Sequence, residues 1–158
     1  MVEPIHEPST EDLTRWHRTM APRLFNRTWE ILDHEDRTTE EEDEMLAAAF
    51  GQRFHWYKVG SGINRAVADW QVARVAAVLG YGELAMRFAR RSLEVCENET
   101  LLPFYSGYAH EAIARAAEAM GDEATRDLHV AEARTLALAV TEEDERHMLL
   151  ADLELMGL

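Results

Sequence analysis

The stretches RVAAVLGYGELAMRFARRSLEV at residues 74–95 and RAAEAMGDEATRDLHVAEARTLA at residues 115–137 align with Gly80 on Gly121, a spacing of 41 residues. In each copy an alanine-rich run precedes the glycine and small or apolar residues follow it at matching positions. A glycine just past a helix end readily adopts the left-handed conformation that lets a second helix fold back on the first. The pattern predicts a repeated helical hairpin, with Gly80 and Gly121 beyond helix ends at positive φ.

The rest of the chain carries dense helix signals and few strand signals, because β-branched residues are sparse and no long stretch alternates apolar with polar residues. Helix starts are predicted at Ser9, Thr39 and Thr141, each followed three residues later by an acidic residue. We expect one all-α domain over residues 1–158. It comprises antiparallel hairpins at about residues 9–58, 63–97 and 102–140, stacked as an array, and a C-terminal capping helix at residues 142–156.

The repeated unit resembles the tetratricopeptide repeat, which places small residues on both helices and an LG or similar pair at the turn. The resemblance covers about residues 63–140, with a spacing of 41 residues where the family uses 34. It implies that the first helix of each hairpin lines a concave surface. Residues implied at that surface include Trp70 and Arg74 from one unit and Tyr108, Glu111 and Arg115 from the next.

Two functions are open to these surface residues. The two aromatic rings and two arginines suit recognition of a ligand with a carboxylate or phosphate. Alternatively, the rings belong to the core, and Glu111 and Arg115 form an ion pair one helical turn apart. We expect Arg115 to be chiefly structural for that reason. Arg74 is the better ligand candidate, because Trp70 stands where its own helix would offer the matching acid.

The segment RFHWYKVGSGIN at residues 53–64 crowds four aromatic rings beside a glycine-containing turn. His55 and Asn64 are candidate ligand contacts there, since glycine lets backbone approach a ligand closely. The alternative is that the aromatic side chains join the first hairpin to the second and that Asn64 serves as a cap.

The overall charge limits the partners. Thirty acidic residues against 16 basic ones give a net charge of −14, which disfavours nucleic acid and anionic membranes. No run approaches the roughly 20 apolar residues of a membrane span. The single cysteine, Cys96, allows no internal disulfide, so we expect a cytoplasmic protein.

These patterns favour a non-enzymatic module that binds a protein or peptide in its groove. No nucleophile elbow, phosphate loop or dinucleotide fingerprint occurs, so we expect no catalytic residue, no metal site and no cofactor. The alternative is a small-molecule or metal-dependent enzyme resembling DinB-like helical bundles. Two or three histidines would then converge in the interior, from the set His17, His55, His110, His129 and His147. A third possibility is a homodimer that pairs through the apolar stripe of the C-terminal helix.

Overall fold

The computed structural model describes residues 7–156, whose only regular secondary structure is α-helix, without strands. Seven helices follow one another in this part of the chain, and consecutive helices pack against each other. The predicted all-α class and stacked hairpin arrangement are confirmed. The helices are α1 (Thr10–Leu32), α2 (Thr39–Val59), α3 (Gly62–Val78), α4 (Gly82–Asn98), α5 (Pro103–Ala119), α6 (Glu123–Ala139) and α7 (Glu143–Glu154).

The two hairpins α3–α4 and α5–α6 are equivalent in length and turn geometry. All four helices have 17 residues, and α5 and α6 begin 41 residues after α3 and α4. Gly80 and Gly121 follow the C-caps of α3 and α5 with φ of 80° and 73°, as predicted. The Tyr81 amide donates to the Ala76 carbonyl at 2.8 Å, and the Asp122 amide donates to the Ala117 carbonyl at 2.9 Å. Each bond closes its helix end in a Schellman motif.

Left-handed backbone makes the turn glycines sensitive to substitution. Gly121→Val is expected to lower the free energy of unfolding by about 1–2 kcal/mol, because a side chain at positive φ crowds its own backbone. A Cβ built there meets no other atom within 4 Å, so the loss comes from conformation alone. Gly121→Asn is the matched control and should lose less, since asparagine tolerates this conformation. Equal stability of the two variants in urea denaturation would contradict the assignment.

Two of the three predicted helix caps are wrong. Ser9 caps α1 as expected, and its side chain accepts from the Asp12 amide at 3.1 Å. The cap of α2 is Thr38, one residue before the predicted Thr39, because Thr38 and Glu41 form the reciprocal capping box. At α7 the helix starts after Glu142 without a side-chain cap, so Thr141 does not have this function.

Alanine dominates the interior of the array. Helices α3 and α5 pack against each other and contribute alanines to one hydrophobic cluster, which includes Ala73, Ala76, Ala112, Ala116 and Ala117. Such short side chains allow helix axes to approach closely. The first hairpin adds Ile31, Met45 and Ala49 to the same cluster.

Helix α7 covers the C-terminal end of the array. Leu149 and Leu153 are fully buried in a second cluster with residues of α5 and α6. Close approach depends on Gly107 of α5, where a Cβ would lie 2.5 Å from Leu149 Cδ2. The buried side of the predicted apolar stripe thus packs on the array itself. Within residues 7–156 every helix is too short or too polar to cross a lipid bilayer.

Candidate functional site

A cavity of about 260 Å³ is lined by residues of α1, α3, α4, α5 and α7. Most of the side chains around it are aromatic or apolar, which is usual for sites that hold small ligands or single side chains. The residues that line it are Trp29, Ala66, Val67, Trp70, Ser92, Phe104, Tyr105, Tyr108, Met148 and Asp152. Two of the seven predicted site residues, Trp70 and Tyr108, are among them.

The aromatic rings form inclined walls. The centroid of Trp70 lies 5.7 Å from that of Trp29 and 5.4 Å from that of Tyr108, with interplanar angles of 39° and 72°. Phe104 and Tyr108 lie 5.1 Å apart at 77°. Edge-to-face contacts of this kind stabilise each pair and hold the rings in fixed orientations.

A fully buried carboxylate, Glu111, orients Trp70 from behind. Trp70 Nε1 donates to Glu111 Oε2 at 3.2 Å, and Arg74 Nη1 donates to Glu111 Oε1 at 3.2 Å. Arg115 Nε also donates to Oε1 from one turn further along the same helix. One carboxylate therefore accepts hydrogen bonds from three side chains on two helices.

Arg74 differs from the expectation. Trp70 stands one turn before it, where an acid of its own helix would pair with it, but Glu111 of the facing helix supplies a carboxylate, and Arg74 is not among the residues that line the cavity. Burial lowers the pKa of the Arg74 guanidinium, and the charge of Arg115 lowers it further. The sequence could not reveal this pairing, because the two residues are 37 positions apart and meet only through packing.

Tyr108 connects the cavity to α7. Its hydroxyl donates to Asp152 Oδ2 at 2.7 Å, and Arg115 Nη2 donates to the backbone carbonyl of Asp152 at 3.4 Å. Burial, followed by the bond to Asp152, raises the pKa of Tyr108 well above its usual value. The hydroxyl therefore stays protonated and remains a donor to Asp152 at the cavity wall.

The other two predicted site residues lie elsewhere. Asn64 is part of the capping box of α3, where its Oδ1 accepts from the Ser61 amide at 3.0 Å. His55 is buried and its Nδ1 lies 2.7 Å from His17 Nδ1, beside Trp16 and Phe54. Neither residue lines the cavity.

The histidines come together in pairs on separate hairpins. In addition to His17 with His55, the Nδ1 atoms of His110 and His129 are 2.8 Å apart and their rings stack. Burial lowers the pKa of His55 and of His110, and the charge of each partner lowers it further. His147 is exposed beside Glu143. Residues 7–156 contain no group of three His, Cys, Asp or Glu side chains that could hold a metal ion.

A second buried carboxylate, Asp69, was not anticipated. Arg53 Nε and the Tyr57 hydroxyl both donate to it, and the Arg53 guanidinium lies 4.1 Å from the centre of the Tyr57 ring. Burial raises the pKa of Asp69, while these two hydrogen bonds oppose the shift. The group joins α2 to α3 and does not line the cavity.

Comparison of the chain with protein-family models, with curated proteins and with solved structures gives no match.

Proposed function

We propose that this protein is a non-enzymatic recognition module, a tetratricopeptide-like array that binds a segment of a partner protein and takes one of its side chains into the aromatic cavity. The observation that carries the proposal is the cavity itself, which lies between the first helices of successive hairpins, as the resemblance implies for a binding surface. Tryptophan and tyrosine side chains in pockets are the residues that most often dominate binding energy at interfaces.

Preorganisation supports the same proposal. Trp70 is held by its hydrogen bond to Glu111 and by two neighbouring rings, and Tyr108 is held by Asp152. Walls that are already fixed lose little conformational freedom when a ligand enters, which favours affinity. A volume of about 260 Å³ is enough for one large side chain, but it is small for an extended substrate.

A metal-dependent enzyme has less support. Catalytic zinc sites use three protein ligands and an open position, whereas each of the two histidine pairs that the structure describes offers two ligand side chains. A cytoplasmic location, the lack of a cofactor and a homodimer formed through α7 stay predictions from the sequence.

The proposal is tested by filling the cavity. Val67→Phe places a larger side chain at the cavity wall, whereas Val78→Phe makes the same change at an exposed position of the same helix. Peptides would be selected from a displayed random library on the unmodified protein and their affinities measured by calorimetry. We expect Val67→Phe to weaken the selected peptides at least tenfold and Val78→Phe to leave them unchanged. No enriched peptide, or equal loss in both variants, would refute the proposal.

A further inference from the structure

The charge distribution around the cavity indicates what kind of side chain enters. Among residues 7–156, Asp152 is the only charged residue that lines it, and five of the ten lining residues are aromatic. We propose that the cavity recognises a trialkylammonium group, carried by a methylated lysine of the partner segment. This inference rests on the proposed function and adds the chemistry of the ligand.

The aromatic walls are the first feature of the cavity that suits a cation. The plane of the Tyr108 ring is inclined by 72° to that of Trp70 and by 77° to that of Phe104. The rings therefore form corners and not one parallel stack. A bulky cation in a corner contacts more than one ring. Ring faces attract cations through their quadrupole, and aromatic cages bind quaternary ammonium groups in this way.

The Asp152 carboxylate is the second feature of the cavity that suits a cation. Asp152 Oδ2 accepts from Tyr108, and among the described residues no arginine, lysine or histidine forms an ion pair with the Asp152 side chain. Arg74 and Arg115 are the nearby cations, and both donate to Glu111. Glu111 and Asp152 balance Arg74 and Arg115, so these four side chains carry no net charge, and Asp152 also interacts through charge with Arg74.

Long-range electrostatics favour the same sign of ligand. The chain has a net charge of −14, which attracts cations and repels anions in solution. An anionic ligand would be repelled by this field and by the Asp152 carboxylate. Among charged ligands, a cation is therefore favoured.

Hydrogen-bonding capacity favours an alkylated ammonium over a primary one. A primary ammonium has three N–H donors and is strongly hydrated. Among the lining side chains that the structure describes, Asp152 is the one carboxylate and its Oδ2 already accepts from Tyr108, while Ser92 Oγ donates to the Ala66 carbonyl at 2.8 Å. Three N–H donors would therefore compete mainly for Asp152 Oδ1 and for hydroxyl oxygens. A trialkylammonium group has no N–H to satisfy, so it enters without leaving a buried donor unpaired.

The decisive experiment compares choline with 3,3-dimethylbutan-1-ol, which has the same shape and no charge. Both would be titrated into the unmodified protein by calorimetry at low salt. We expect choline to bind at least tenfold more tightly than the neutral compound. Asp152→Asn retains the acceptor for Tyr108 and should remove most of this preference for choline over the neutral compound. The comparison of choline with the neutral compound uses the unmodified protein, so its result does not depend on whether a variant folds.

Two peptides then identify the source of the ammonium group. We expect a trimethyllysine peptide to bind at least tenfold more tightly than both its unmethylated form and choline. Equal affinity for choline would assign the site to a free quaternary amine and overturn the partner-segment part. Equal binding of the neutral compound would overturn the inference and leave the recognition module standing. If none of these ligands binds, and the random library also yields no peptide that Val67→Phe weakens, both this inference and the recognition module are overturned.

Discussion

Glu111→Ala is expected to lower the free energy of unfolding by about 3–5 kcal/mol, the usual cost of removing one partner from a buried ion pair. Glu111 is fully buried, and the side chains of Arg74 and Arg115 are only 20% and 17% exposed. Without the carboxylate, two guanidinium groups stay close together with no shared counter-charge, and Trp70 loses its acceptor. Urea denaturation monitored by circular dichroism measures the difference.

Glu118→Ala is the matched control for this change. Glu118 lies on the same helix, is exposed, and has no ion pair in the described part of the chain. Surface substitutions of this kind usually change stability by less than about 0.5 kcal/mol. If the two variants unfold at the same urea concentration, the buried network does not stabilise the fold. Arg115→Ala should also destabilise the protein, since it leaves Glu111 with one cation instead of two.

Gly107→Val is expected to cost about 1–3 kcal/mol by overpacking the contact between α5 and α7. A Cβ at this position would lie 2.5 Å from Leu149 Cδ2, and Leu149 is fully buried and cannot move freely. Valine adds two further carbons, so α7 must shift away from α5. Met148 and Asp152 lie on α7 beside Leu149, and the shift therefore also opens the cavity. The melting temperature and the affinity for peptides should both fall.

A double-mutant cycle separates this contact from a general effect on the helix. Leu149→Ala removes the atom that the new side chain would meet, at a cost of about 2–5 kcal/mol in its own right. In that background Gly107→Val should destabilise much less than in the unmodified protein, giving a favourable coupling between the two positions. Additive losses would show that Gly107 matters through its own helix and not through α7.

The sequence predicted the architecture because the turns carry their own chemistry. Gly80 and Gly121 mark helix ends by a backbone conformation that other residues resist, and the 41-residue alignment therefore transfers from sequence to structure. The resemblance to the tetratricopeptide repeat implied that Trp70 and Tyr108 lie on one surface, and both line the cavity. Local rules were less reliable at helix starts, where Thr38 and Thr39 are each followed three residues later by a glutamate, so the spacing does not show that the capping box forms at Thr38.

The rest of the cavity depends on packing between segments that are far apart in sequence. Trp29 comes from α1 and Asp152 from α7, and neither helix belongs to the recognisable repeat. Their apolar and acidic residues resemble those of any helix surface, so no local pattern marks them as walls of a site. The sequence did not decide the pairing of Arg74 with Glu111 or reveal the burial of Asp69, for the same reason. Each needs the rotation of one helix relative to another, which spacing within one helix does not define.

The alanine-rich contact between α3 and α5 leaves the relative position of these helices weakly specified by shape. Alanines such as Ala73 and Ala112 present shallow ridges, and two smooth helices lose little contact when one slides along the other. Hydrogen bonds are directional, and Glu111 accepts from Trp70 and Arg74 of the opposite helix in a single alignment. The buried carboxylate thus sets the axial register of the two helices, as a lone polar residue does in a coiled coil.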